Sequence, residues 1–328
     1  MSGRLRFSAW LTHWNTASLA SFEANADLMA RVYPVWYTTS MAGLPMRRPD
    51  STPALRQRVT ERAKQAGIEV WPLISNFNKD PLVNDFDPAL MRLIMGDRST
   101  RQAHITRLLE YVQGDGAQGV DLDYENLYDV DKDVFTGFVE EICQAFHAKG
   151  LKVGIALHAK TEEPGGPGGS RSQDYAKLGA ACDSLQIMCY DYHWSTGEPG
   201  PIGPPAWGKA VMAHAKTLVD AEKLEFGVPG YGNNWGPGGP AQGVDWAAWD
   251  QLREAHAPER RDPETVELTL KFDGREVWFN DSISLQAKLY QARHLGLDQA
   301  AMWVLGHEDP RLWALLDTLP VPFLREHA

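Results

Sequence analysis

The segment Gly119-Val-Asp-Leu-Asp-Tyr-Glu125 carries acids at alternate positions. In an extended strand alternate side chains share a face. Asp121, Asp123 and Glu125 therefore project together, and Val120, Leu122 and Tyr124 project to the other side. Carboxylates stacked in a core are costly to bury and repel one another as anions. At least one must hold its proton more tightly than usual. A carboxylic acid still protonated near neutral pH is what general acid catalysis needs. A polar filling layer and a cation held by the acids are the competing readings. No neighbouring His or Asn cluster supports the cation.

A second segment, Gln186-Ile-Met-Cys-Tyr-Asp191, puts Gln186, Met188 and Tyr190 on one face by the same rule, with Asp191 at the strand end. Trp303 is a third signal, in a run ending at Gly306. Trp14, Trp36, Trp194 and Trp235 fall at or just beyond the ends of predicted strands. Flat aromatic faces around a mouth suit the apolar face of a sugar, although core packing accounts for each Trp singly.

The elements that must position these groups alternate between β and α. Predicted strands are Leu5–Thr12, Val32–Thr39, Glu69–Ser75, Gly119–Glu125, Lys152–His158, Ser184–Tyr190, Glu225–Tyr231 and Ala300–Leu305. Predicted helices between them include Leu55–Ala66, Arg101–Val112, Val134–Lys149 (stopped by Gly150), Trp207–Leu218 and Ser284–His294. Strand starts fall mostly about 30 residues apart, the size of a βαβ unit. The expected fold is α/β: a (β/α)8 TIM barrel, one catalytic domain over residues 1–328. A doubly wound open sheet is the alternative, and it lacks a phosphate fingerprint. The surplus length falls between the seventh and eighth strands. There Val266–Phe272, Asp273-Gly274 and Arg275–Phe279 read as a hairpin, so residues 236–281 are expected to form a small α+β insertion. The Gly/Pro stretches Pro164–Gly169 and Gly230–Gly239 read as loops at the mouth.

The 328 residues carry 32 basic and 43 acidic side chains, a net charge of −11, which argues against nucleic acid or an anionic membrane as partner. No apolar run is long enough to cross a membrane, and Thr12, His13 and Asn15 interrupt any leader-like core. The expectation is a chain that stays in the cytoplasm or has had an export signal removed. Cys143, Cys182 and Cys189 lack metal-site spacing and read as buried apolar groups. His104, His158, His193 and His307 form no metal or base pairing and read as surface or hydrogen-bonded rings. Lys160 reads as the partner of an acid, and His193 with Trp194 as a cleft wall.

Together these stretches resemble glycoside hydrolase family 18, the chitinases and their relatives, over nearly the whole chain. Gly119–Glu125 matches most of that family's D-x-x-D-x-D-x-E signature, with Gln118 where the first Asp usually stands. The QxMxYD segment, Gly227-Val-Pro-Gly-Tyr-Gly232 and Trp303 are similar to the family's sixth, seventh and eighth strands. Val32–Tyr37, Ala156–Thr161, Gly200–Pro204 and Val277–Ser282 look most like the bacterial spore and peptidoglycan enzymes, the cortical-fragment-lytic N-acetylglucosaminidases. Asp191 departs from that subgroup, which commonly has Glu there.

The resemblance implies a substrate-assisted, retaining hydrolase of β-1,4 bonds at N-acetylglucosamine, in peptidoglycan or chitin fragments. It implies Glu125 as acid and base, Asp123 orienting the acetamido group, Asp121 tuning Asp123 and Tyr190 holding the acetamido oxygen. Asp191, Trp303, Gln186, Met188, Tyr231 and Trp36 are the implied sugar contacts. No metal and no cofactor is implied, and a monomer is expected. A lectin-like binding protein on the same scaffold is the alternative. A nucleotide-binding dehydrogenase rests only on Gly230-Tyr-Gly232 and lacks GxGxxG.

Overall fold

The computed structural model describes residues 5–166, 169–256 and 258–316. Pro167 and Gly168, part of one expected mouth loop, lie outside the described residues, as do Met1 to Arg4 of the N-terminus.

The parallel strands close into a ring. The first strand (Arg6–Leu11) pairs on one side with Gln299–Trp303 and on the other with Arg31–Pro34. The second strand is broken at Val35 and Trp36 and resumes as Tyr37–Thr39; the third is broken likewise into Glu69–Val70 and Leu73–Ser75. Both halves of the second pair with the matching halves of the third. The ladder then runs through Gly119–Asp123, Lys152–His158, Ser184–Met188 and Leu224–Pro229 back to Gln299–Trp303. This is the eight-stranded α/β barrel expected from the alternation.

Local chemistry sets the crossover helices. Thr52 caps Pro53–Ala66 through the amide of Leu55, with Pro53 at the first turn and Gly67 at φ 69° closing it. Asp87, Asp97, Asp174 and Asp281 cap four more helices with their carboxylates. Such caps begin helices two to three residues before the first periodic apolar side chain, which is where pattern reading starts them. The apolar layer between strands and helices contains Val120, Leu122 and Tyr124, the outward face of the fourth strand. A smaller cluster fills the barrel: Trp10, Tyr33, Val35, Trp71, Leu73, Ala156, Ala301 and Val304, with Met188 and Trp303 against it.

Between the seventh and eighth strands the chain builds a five-stranded antiparallel sheet with helix Trp246–Ala255. The hairpin Leu268–Phe272 and Arg275–Phe279 turns through Asp273 (φ 45°) and Gly274 (φ 72°), the positive-φ pair that this tight turn demands. The sheet starts with Gly232–Trp235, immediately after the seventh strand and before the expected boundary at Gly236.

Candidate active site

The site is a column of acids inside the barrel, built upward from a plug of paired charges. At the bottom, Arg31 donates to Glu225 Oε1 (2.7 Å) and Tyr33 Oη (2.9 Å), and its guanidinium lies 3.5 Å from the Trp71 ring centroid. Tyr33 and Ser184 also donate to Glu225 Oε1, each at 2.7 Å. Gln186 donates to Tyr33 Oη (2.8 Å) and Ser184 Oγ (3.1 Å). Gln186 is therefore fully buried in this layer and is not at the mouth, which corrects its reading as a sugar contact. Its parity was read correctly, but its depth is set by a strand register that the sequence does not carry.

Asp121 is the next storey. It is fully buried, with Oδ2 accepting from Trp10 Nε1 at 2.8 Å. Burial pushes its carboxyl well above the usual range, against the Trp10 hydrogen bond and reinforced by the Asp123 and Glu225 charges. Gly154 on the neighbouring strand makes room: a Cβ there would sit 3.2 Å from Asp121 Oδ1, Gln186 Nε2 and the Trp71 ring.

Asp123 and Glu125 form the top. Both carboxyls are raised by burial, and the hydrogen bond between them lowers Asp123 while raising Glu125. The Asp123 charge adds to the rise at Glu125. The regular strand ends at Asp123, two residues earlier than expected. Asn76 holds Glu125 in line nonetheless: its Oδ1 accepts from the Glu125 amide (2.9 Å) and its Nδ2 donates to the Glu125 carbonyl (3.0 Å). The chain then turns away through Asn126 at φ 57°.

The sixth strand ends at Met188, and Tyr190 and Asp191 follow it, Asp191 at φ 55°. The Tyr231 hydroxyl donates to Asp191 Oδ1, and the Tyr190 and Tyr231 rings meet edge to face at 6.4 Å. Asp191 reaches solvent yet is enclosed enough that burial raises its carboxyl, with the Tyr231 hydroxyl opposing. Tyr231 thus orients Asp191. The Tyr190 hydroxyl is raised by burial and, further, by the Glu125 and Asp123 charges.

A cleft of about 400 Å³ opens from Asp123 and Trp303 across Trp14, Phe77 and Phe86. Trp14 is 54% exposed and gives the rim an open aromatic face; Trp194 is 55% exposed but is not among the residues lining this cleft. Trp36 is not on that rim. Val35 faces the barrel interior, so Trp36 faces the helices and is fully buried in the outer core, edge-on to Tyr37. Trp235 is also buried; it lines a separate groove of about 660 Å³ with Gly197, Gly236 and Arg275 at the insertion.

His158 departs from the expected surface or hydrogen-bonded ring: its Nε2 is buried without a hydrogen-bond partner. Its Nε2 lies 3.4 Å from Glu125 Oε2, and burial lowers its pKa to about 4. Trp10, Asn76 and His158 are site residues that sequence reasoning did not assign. The signal for Trp10 and His158 was their place in predicted strands one and five, at positions whose parity faces the acids. His104 does match its reading: it is buried between Gly43 O (2.8 Å) and Tyr124 Oη (2.9 Å). Lys160 pairs with Glu163 at 2.8 Å. Gln118 sits at the exposed base of its strand and accepts from the Val70 amide. Cys143, Cys182 and Cys189 are free and buried. Among the described residues no cluster of His, Cys, Asp or Glu is placed to hold a metal ion, and no helix is long and apolar enough to cross a membrane.

The chain is similar to known proteins in sequence and in fold. The profile of Glycosyl hydrolases family 18 matches residues 57–308. An uncharacterized glycosylase of Bacillus subtilis (strain 168) is 24% identical over 261 residues, covering 76% of this chain and 75% of that protein. The cortical fragment-lytic enzyme of the same organism is 26% identical over 249 residues, covering 70% of this chain and 56% of its own length. The chain thus spans little more than half of that relative. The crystal structure of a chitinase from Chromobacterium violaceum superposes with a TM-score of 0.85 at 24% identity, over 95% of this chain and 98% of that one.

Proposed function

The chain belongs to glycosyl hydrolase family 18, and on that premise we propose that it cleaves β-1,4 bonds at N-acetylglucosamine in peptidoglycan or chitin fragments. The observation that carries this reading is the hydrogen-bonded Asp123–Glu125 pair, both carboxyls raised by burial, with Asp123 lining an aromatic cleft.

Catalysis is substrate-assisted and retaining. Glu125 gives its proton to the glycosidic oxygen as the bond to the anomeric carbon breaks. The substrate's own acetamido oxygen closes on that carbon, so no enzyme nucleophile is needed. Asp123, left with negative charge, holds the acetamido N–H and offsets the positive charge of the cyclic intermediate. Tyr190 holds the acetamido oxygen in line. Glu125, now a carboxylate, takes a proton from the water that opens the intermediate. Asp121 lies under Asp123, and its raised carboxyl keeps a proton that limits the charge in the column. Trp303 is the floor on which the reacting sugar packs, Met188 and Trp303 both pack against the apolar cluster inside the barrel, and Asp191 binds the sugar's edge.

The test compares purified peptidoglycan fragments with N-acetylglucosamine oligomers as substrates, with products identified by mass. Cleavage next to N-acetylglucosamine in either polymer supports the reading and ranks the two. Binding without cleavage of either overturns it in favour of a carbohydrate-binding protein.

A further inference from the structure

His158 closes the fifth strand, and side chains hold its backbone on both sides. Its amide donates to Gln173 Oε1 (2.8 Å), and its carbonyl accepts from the Tyr175 hydroxyl (2.6 Å). Glu125 is held in the same manner by Asn76. The two side chains therefore meet from fixed points, with Nε2 of His158 3.4 Å from Oε2 of Glu125. That nitrogen is buried and makes no hydrogen bond within the protein. The other titratable groups facing Glu125 are Asp123, Asp191, Asp85 and Tyr190. Of this set only His158 carries an N–H.

We propose that His158 is a positioning residue for the acid, its Nε2–H donating to Glu125 Oε2 so that the transferable proton sits on Oε1. A buried polar nitrogen without a partner is costly, and Glu125 Oε2 lies within a few tenths of an ångström of bonding distance. Catalytic hydrogen bonds are commonly long before substrate arrives and tighten with it. A cationic ring would draw the proton off Glu125 and disable it. Burial prevents this by keeping the imidazole neutral, with its pKa near 4.

The ring acts through Glu125 and exchanges no proton itself. In the first half-reaction the proton leaves Oε1 for the glycosidic oxygen, which keeps the electron pair of the breaking bond. The new carboxylate then has one fixed donor on Oε2. In the second half-reaction Oε1 recovers a proton from the attacking water, and the N–H stays where it was.

The inference rests on the hydrolase reading, and the test separates the two. The full chain is assayed as wild type, His158→Ala and His158→Gln across pH on N-acetylglucosamine oligomers and peptidoglycan fragments. Losing the donor destabilises the carboxylate. The alanine variant should then lose about tenfold or more in kcat with KM little changed, and its alkaline limb should move to higher pH. Glutamine, which restores an N–H, should recover most of both. An alanine variant with wild-type kcat and limb overturns the inference alone. So do alanine and glutamine variants equally slowed with the limb unmoved, because that is a purely structural role. A wild type that cleaves neither substrate overturns the hydrolase reading and this inference with it. Ring-nitrogen NMR shifts of the wild type need no variant: a neutral Nε2–H tautomer at pH 7 supports the proposal, and an Nδ1–H tautomer overturns it.

Discussion

Replacing Lys288 by Met tests how the loop that carries Asp191 is fastened. Glu267, in the insertion, is fully buried and accepts from the amides of Ile202 (2.8 Å) and Gly203 (2.9 Å). Its charge is met by Lys288 Nζ at 3.0 Å, itself 1% exposed and also bonded to Asn280. The far end of the loop that starts at Asp191 is thus clamped by one buried ion pair, and the Tyr192 amide ties the near end to Ile202 O. Lys288→Met keeps the apolar stem and removes the charge, leaving a buried carboxylate with two amide donors and no cation. Breaking such a pair from one side costs about 3–5 kcal/mol. That is a loss of roughly 4–7 °C in Tm for a chain of this size. Glu267→Gln alone keeps one amide bond, turns an NH2 toward the second amide, and strands the lysine. The double variant Glu267→Gln, Lys288→Met strands no charge and should lose less than the sum of the singles, with a coupling of about 1–3 kcal/mol. Calorimetry on the four proteins gives the cycle. A loss below about 1 kcal/mol for Lys288→Met, or strict additivity, would refute the reasoning that this pair is an electrostatic unit.

Three further outcomes are expected. Trp10→Phe removes the N–H held by Asp121 and should cost about 1–3 kcal/mol in urea unfolding, together with most of kcat; an unchanged kcat would remove Asp121 from the machinery. Gly306→Ala sets a Cβ 2.4 Å from the Ser18 amide at a φ of +84°, so expression as a soluble folded chain should fail or Tm fall sharply. Two buried rings should each weaken folding on acidification, against the opposite pull of the raised carboxyls of Asp121, Asp123 and Glu125: His104 and His158 both fold with pKa values lowered by burial from 6.5 to about 4. Between those pH values the unfolded chain binds protons that the folded chain refuses. Each ring then contributes a slope of about 1.4 kcal/mol per pH unit, its own share of stability decreasing as pH drops, and the Tm of a His104→Gln variant should move upward relative to that of the wild type as pH falls through that window.

The barrel and the acid column were legible because both follow from period. Alternation placed Asp121, Asp123 and Glu125 inward and Tyr124 outward, and the βα spacing gave the ring. Place near a strand end did not decide which way a side chain points. Trp36 was expected at the mouth with the other tryptophans, whereas alternation from Tyr33 and Val35, both inside the barrel, puts it on the helix side. Depth was also hidden. Gln186 and Met188 share a face, but only inter-strand register shows that one lies in the plug with Glu225 and that the other, half-buried, packs on the cluster inside the barrel. The plug itself, Arg31 with Glu225, joins residues 194 apart in the chain. His158 escaped for a similar reason, since its meaning lies in a neighbour on the adjacent strand.

The most direct measurement is the anomeric configuration of the first product, followed by NMR during digestion by the wild type and by Glu125→Gln. The account predicts a β-configured reducing end at early times for the wild type. It predicts loss of turnover in the variant by several orders of magnitude, with oligosaccharide binding preserved. An initial α product, or a variant that turns over at the wild-type rate, would contradict it.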